Sequence, residues 1–243
     1  MIKKLAIVFL LLGLACYFVA AVTVLNRPSG DVVCSGVEVF VDDSLQTGFI
    51  HSKEVMQMLG EQKCNPVGRL MDEVALGQVE AVLLKSPYIE DVTAYKTPGG
   101  KVCIAIRQRL PILHVMPDGG EDYYIDRTGS QMPKSYFSAH LPVATGHITR
   151  EYAARKLVRL AGMIQEDEFW NNQIQQIYVT SAGEVELIPR VGEHTILLGE
   201  PVRLADKLAR LKKFYTEGLN KVGWNKYSVI NLKYDNQVVC KKK

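Results

Sequence analysis

The sequence predicts an α+β protein in three parts: a single N-terminal transmembrane helix, a small β-α-α-β-β unit, and a β-rich domain with two flanking helices. Three observations carry this. Residues 5–25 hold no charged side chain. From 37 to 109, two-residue alternation gives way to helical spacing and then returns. Beyond 110, short alternating runs are interrupted by two long amphipathic stretches.

The apolar run from Leu5 to Leu25 follows Lys3 and Lys4. At about 1.5 Å per residue it spans roughly 31 Å, the hydrocarbon thickness of a bilayer. The two lysines keep residues 1–4 on the cytoplasmic side, so the remainder is expected outside the inner membrane. A cleaved signal peptide is the rival, with Val19-Ala20-Ala21 as its small-residue site. A lipoprotein signal fits less well, because Gly13-Leu14-Ala15 precedes Cys16. Signal-peptide cores run about 7–15 apolar residues, which favours an uncleaved anchor here. A buried helix of a soluble domain would show a polar stripe.

Hydrophobic content of 47% supplies enough apolar surface for packed cores after the anchor. A formal net charge of +3 gives no argument for nucleic acid. The basic tail, residues 241–243, lies beyond the membrane, so anionic lipid of the cytoplasmic leaflet is not its target. Cys34, Cys64, Cys103 and Cys240 fall where disulfides are permitted. Four cysteines allow three pairings, which stay open beside the alternative of free thiols.

Residues 26–36 form a linker broken by Pro28, Ser29 and Gly30. Val37 to Val41 alternates as a strand. Ser52 caps a helix with Val55, Met56 and Leu59 on its apolar side. Asn65-Pro66 and Gly68 mark a turn. A second helix carries Leu70, Val74, Leu76, Val79, Val82 and Leu83 and ends at Ser86-Pro87. Ile89 to Tyr95 and Lys101 to Arg109 are strands joined by the Thr97-Pro-Gly-Gly100 turn, with Val102, Ile104 and Ile106 on one face. Strand, helix, helix, strand, strand is the order of a POTRA domain, expected over 37–109, with both helices on one face of a three-stranded sheet.

The second domain is expected over 110–240. Strands run Ile112 to Met116 and Asp122 to Ile125, around an Asp118–Glu121 turn, and Asp126 to Gly129 is another turn. Thr149 caps a helix to about Gln165, with Ala153, Leu157, Leu160, Ala161 and Ile164 at helical spacing. Ile174 to Val179, Val185 to Ile188 and Thr195 to Leu198 are strands. Pro201 opens a helix to about Lys221. Its apolar positions are Leu204, Leu208, Leu211, Phe214, Tyr215 and Leu219. Tyr227 to Leu232 and Gln237 to Cys240 close the chain as strands.

A family becomes visible at the junction. Ile104-Ala-Ile-Arg-Gln-Arg-Leu-Pro111 is followed by Tyr123-Tyr-Ile-Asp126, Gly129, Met132-Pro133 and Leu141-Pro-Val143. Glu184-Val-Glu-Leu-Ile-Pro-Arg190, Leu197-Leu-Gly199, Lys207-Leu208, Leu211 and Ile230-Asn-Leu-Lys-Tyr234 come later. In this order the motifs resemble the bacterial cell-division family FtsQ/DivIB, in the form seen in Bacteroidota-like members. The resemblance implies a bitopic divisome protein without enzymatic activity or cofactor, in the inner membrane at the septum. It implies that the POTRA unit recruits other divisome proteins. The β domain would bind FtsB/FtsL-type bitopic coiled-coil proteins through its last strands. Only four residues precede the apolar run, where many relatives carry a longer tail, so contacts that depend on such a tail are not carried over.

A terminal strand at a sheet edge leaves backbone N–H and C=O groups unpaired, and a partner can add a strand there. Tyr227, Val229, Asn231, Lys233 and Asp235 would share one face, and Ser228, Ile230, Leu232 and Tyr234 the other. Asp235-Asn236 turns the chain so that Val238 and Val239 extend the edge. The candidate partner-binding residues are Trp224, Tyr227, Val229, Asn231, Lys233, Tyr234, Gln237, Val238 and Val239. Tyr and Trp are frequent interface anchors. The blander alternative makes Ile230, Leu232 and Val238 core and Tyr234 its cap. Lys241 to Lys243 would act as gatekeepers against aggregation.

Catalysis and metal binding find little support. His51, His114, His140, His147 and His194 are scattered, with no HExxH spacing. Asp42-Asp43 and Glu166-Asp167-Glu168 sit at element ends, where acids are solvated or cap helices. No CxxC, Gly-x-Ser-x-Gly, P-loop or GxGxxG pattern occurs. The alternative function is a generic periplasmic POTRA-containing adaptor or an envelope-transport component. The transport reading lacks the many strands of a barrel.

Overall fold

The computed structural model describes residues 2–25, 32–42, 48–134 and 141–243, with side chains of the first helix described from 10 to 22. The expected linker lies outside the described residues as far as 31, as do Asp43 and His140. Helix α1 spans Ile2–Leu25, 24 residues. Among the described residues no helix is long and apolar enough to cross a membrane. The side chains described in α1, 10–22, cover roughly 20 Å, short of the ~30 Å hydrocarbon core. The transmembrane span expected over 5–25 is therefore not met by the described side chains and rests on the sequence.

The first domain follows the expected order. It comprises β1 (Gly36–Asp42), α2 (Ser52–Glu61), α3 (Leu76–Leu83), β2 (Ile89–Lys96) and β3 (Lys101–Gln108). The sheet order is β1-β3-β2, with β1 parallel and β2 antiparallel to the central β3. Thr97 and Gly100 close the β2–β3 hairpin, where Gly100 adopts φ 74°, a conformation that suits a residue without Cβ. Val102, Ile104 and Ile106 are buried with Val55 and Leu59 of α2 and Val79 and Leu83 of α3. Alternation in the strands and i, i+4 spacing in the helices thus meet in one layer contact.

Two details differ from expectation. The N-cap of α2 is His51, in extended geometry, and its N–H donates to Glu54 Oε2 at 2.9 Å. Ser52 is already inside the helix. The second helix begins only at Leu76: Leu70 is extended and bridges to Val33, and a 3-10 turn occupies Met71–Glu73. Pairing with the incoming chain holds Leu70 out of the helix that its spacing suggested.

The second domain contains a nine-stranded sheet of order β12-β11-β10-β9-β8-β7-β4-β5-β6. Its strands are β4 (Pro111–Pro117), β5 (Tyr123–Asp126), β6 (Gln131–Pro133), β7 (Val143–Gly146), β8 (Ile174–Val179), β9 (Val185–Pro189), β10 (Thr195–Gly199), β11 (Tyr227–Asn231) and β12 (Val239–Lys242). Helices α4 (Arg150–Tyr152), α5 (Val158–Glu166) and α6 (Glu168–Gln173) link the parallel neighbours β7 and β8. Helices α7 (Leu204–Lys213) and α8 (Asn220–Val222) link the parallel pair β10 and β11. Strand β4 is also parallel to β7, and there the intervening stretch carries β5 and β6 in place of a helix. One core joins Leu113, Val115, Ala144, Ile177, Leu187, Ile196 and Ile230 of the sheet to Leu157, Leu160, Leu208, Leu211 and Tyr215 of the helices.

Thr149 caps α4 as expected, its hydroxyl accepting from Tyr152 N at 3.1 Å. π-helical turns at Ala153–Leu157 and Phe214–Leu219 interrupt the two helical stretches. Pro201 does not open the second one. Arg203, at φ 51°, precedes the first helical residue Leu204. Lys207 is buried there and donates to the carbonyls of Leu198 at 2.8 Å and Glu200 at 2.7 Å, and burial holds its pKa below the ordinary lysine value.

The domains meet around Arg109. Its guanidinium donates to Asp126 Oδ2 at 2.5 Å and to the carbonyls of Pro87 and Ile89, each at 3.2 Å. Asp126 Oδ1 accepts from Thr128 N, Thr128 Oγ1 and Ser130 N. Beside this pair, Phe49 of the first domain stacks on Tyr88 and meets Tyr124 of the second edge-on, each at 5.9 Å. Replacing Asp126 by Ala strands a largely buried guanidinium. It should destabilise the protein by about 3 kcal/mol, read as a lower urea midpoint with unchanged slope. Unchanged stability would show that the pair does not join the domains.

Candidate partner-binding edge

The end of the chain is a hairpin laid along the last helical stretch. Strand β11 inserts Ile230, fully buried, and the buried Leu232 follows it. Asn236 then turns the chain at φ 56°, a conformation that Asn tolerates better than most residues. Arg210 of α7 donates to the carbonyls of Tyr234 at 2.7 Å and Gln237 at 2.9 Å. Arg203 pairs with Asp235, and Lys233 with Glu184. The sequence reading missed both arginines. Arg210 lies on α7 and Arg203 just ahead of it, and no local pattern marks either one, because their partners lie 32 residues from Arg203 and 24 from Arg210 in the chain.

This clamp moves the last strand. The expected strand Gln237 to Cys240 is Val239–Lys242, because the carbonyl of Gln237 bonds to Arg210 within the turn. Lys241 and Lys242 are thus part of the strand, and Lys243 pairs with Glu193, while all three lysines stay exposed. Strand β12 pairs antiparallel with β11, matching Asn231 with Val239, Ile230 with Cys240 and Val229 with Lys241. It stands at the end of the sheet, and among the described residues no strand pairs with its outer side.

The named side chains fall into two groups. Val229, Asn231, Lys233, Tyr234, Gln237, Val238 and Val239 are brought together in the hairpin, with Tyr234 56% and Val239 44% exposed. Trp224 and Tyr227 turn toward their own domain. Trp224 packs edge-on against Tyr215 at 5.1 Å and donates from Nε1 to Asn220 Oδ1 at 3.0 Å. Tyr227 lies 6.0 Å from the ring of Phe214. Between hairpin and helix a groove of about 390 Å³ is lined by Arg210, Lys213, Phe214, Glu217, Lys221 and Val238.

Cys240 packs against the core, and burial raises its thiol pKa, which keeps it protonated. Cys34, Cys64, Cys103 and Cys240 are all free thiols. The acidic run at 166–168 contributes a helix cap: Asp167 accepts from Phe169 N, and Lys212 holds its carboxyl below the usual range. Among the described residues no cluster of His, Cys, Asp and Glu is arranged to hold a metal.

Under the hairpin, His194 Nε2 lies 2.6 Å from the hydroxyl of Tyr215, and His194 Nδ1 is buried without a partner. Burial, with Lys243 nearby, depresses the His194 pKa.

The fold is a β-α-α-β-β module joined to a helix-backed β domain whose sheet ends at β12 on one side and β6 on the other. Residues 32–107 match the model of a POTRA-like domain. Residues 110–241 match the model described as FtsQ/DivIB, C-terminal related. No curated protein matches the chain significantly. The second match covers more than half of the 243 residues, and the chain belongs to the FtsQ/DivIB family, a family of non-enzymatic division scaffolds.

The buried histidine sets a pH dependence. In the unfolded chain it titrates near 6.5, and in the folded one only at lower pH. The unfolded state therefore binds more protons as pH falls below about 6.5, and stability is lost through that window while staying flat above it. Wild type should lose more melting temperature between about pH 7.5 and about pH 5.5 than His194→Gln does. Equal losses would contradict this; His114, also depressed by burial, supplies the residual slope.

Proposed function

We propose that this chain is a non-enzymatic, bitopic divisome scaffold. Residues 5–25 anchor it in the inner membrane at the septum, with 1–4 cytoplasmic and both folded domains periplasmic. The C-terminal hairpin captures FtsB/FtsL-type coiled-coil proteins by adding one of their segments to β12. The POTRA-like domain engages other divisome proteins. Family membership supports the division role. The charge-free run of residues 5–25 after Lys3 and Lys4 supports the anchor.

The observation that carries the binding mode is the bare outer side of β12. Strand addition there would satisfy backbone groups, while alternate side chains select the partner. Val239 and Lys241 share the face opposite the helices, and Tyr234 projects from the turn. Trp224 and Tyr227 support the hairpin from below; their role in this reading is to hold it in shape.

Val239→Glu and Tyr234→Ala should each weaken capture of the coiled-coil partner by about tenfold or more, with thermal stability unchanged. Pull-down with the partner's extracytoplasmic segment measures this. Undiminished capture by both variants removes the edge from the mechanism. Mid-cell enrichment of a fluorescent fusion, with filamentation on depletion, tests the division role separately.

A further inference from the structure

The chain enters its first domain through a short ladder that faces two ways. Cys34 N donates to Arg69 O at 2.8 Å, Gly68 N to Cys34 O at 2.9 Å, and Met71 N to Val32 O at 2.8 Å. Cys34 and Met71 are buried in the core. Their neighbours turn outward: Val33 is 49% exposed, Leu70 37% and Val67, in the adjoining turn, 45%. Val33 and Leu70 are direct bridge partners, and Val67 stands three residues before Leu70 in the turn that leads into the bridge. Scattered exposed apolar residues need no explanation, but a cluster at a chain entry does.

Distance decides what can cover it. Six residues separate Leu25 from Val32. At about 3.5 Å per residue the tether spans at most roughly 25 Å. With α1 in the bilayer, the cluster is confined within that reach of the outer leaflet. Tethering raises its effective concentration at the lipid surface, so a contact too weak to recruit a free protein suffices. The flanking charges balance: Lys63 and Arg69 are exposed, and so are Asp72 and Glu73. The surface thus suits the apolar boundary of the bilayer and does not depend on anionic headgroups.

We propose that Val33, Val67 and Leu70 form a membrane seat that rests the first domain on the outer leaflet of the bilayer its own anchor crosses. The seat rests on the anchor reading above. It fixes how the first domain stands on the membrane, and through the Arg109–Asp126 pair it orients the second domain with it.

The test uses the full chain in phosphatidylcholine nanodiscs with brominated acyl chains. Val67→Trp reports contact, with the emission of the native protein subtracted. Val191→Trp, at a position 54% exposed in the second domain, is the control. A seat at interfacial depth should cost the Val67→Trp reporter about half of its added emission and leave the control unquenched. Adding Val33→Glu and Leu70→Glu should restore the emission, and an added anionic lipid fraction should change nothing. Equal emission from the two reporters in loaded discs overturns the seat and leaves the cluster to a protein partner or a second copy. Persistent quenching after both glutamate substitutions also overturns it, since the tether alone would then bring residue 67 to the lipid. Quenching that needs anionic lipid overturns its apolar character. A chain that fails to enter the discs removes the anchor reading, and the seat with it.

Discussion

An open β-sheet has to end, and the backbone groups at its ends have to be satisfied. That constraint organises the second domain. Parallel pairing of β7 with β8 and of β10 with β11 runs through helical crossovers, and these give the sheet a single core on one face. The short strand β6 ends one side, and its Met132 packs with Tyr124 of β5 and Phe49 of the first domain. Strand β12 ends the other side. Its sequence, Val-Cys-Lys-Lys, is short and cationic, the composition that discourages uncontrolled edge pairing while leaving the backbone available.

The rest of the molecule holds that edge in position. Arg203 and Arg210 tie the turn to α7, and α7 is seated by Leu208, Leu211 and the buried Lys207. Tyr215, His194 and Trp224 fill the space beneath. At the opposite end Arg109 and Asp126 join the two domains through charge-assisted bonds in a mostly dry setting, where such bonds are strong. In the proposed role these ties matter, because an edge that wandered relative to an anchor would deliver a partner to no defined place.

Much of this was legible in the residues. Alternation located β1 to β5 and β8 to β11, and the Thr149 cap and Thr97–Gly100 turn were found because their chemistry is local. Strands β6 and β7 are too short for alternation to register, and β6 ends on Pro133 while β7 follows Pro142, where proline masks a strand signal. Helix α6 is a single short stretch behind the Asp167 cap. The second helix of the first domain looked longer because Leu70 and Val74 have helical spacing, yet a long-range bridge to Val33 decided their geometry. Pro201 has the look of a helix start, whereas Leu204 is the first helical residue and Lys207 turns back to the carbonyls of Leu198 and Glu200 at the end of β10. The last strand was found in kind but displaced in register, because Arg210, which sets the turn, is remote in the chain. Trp224 and Tyr227 stand out by residue type, and each is half-buried beside an aromatic neighbour, Tyr215 for the first and Phe214 for the second.

The central claim is that β12 is an unfinished edge that another chain completes. Hydrogen–deuterium exchange of the full chain, with and without the partner's extracytoplasmic segment, reads this directly. Strand addition predicts strong new protection of those amides between Val239 and Lys242 that point away from β11, with little change in β4 to β8. Tight binding with those amides exchanging as fast as in the free protein would contradict it.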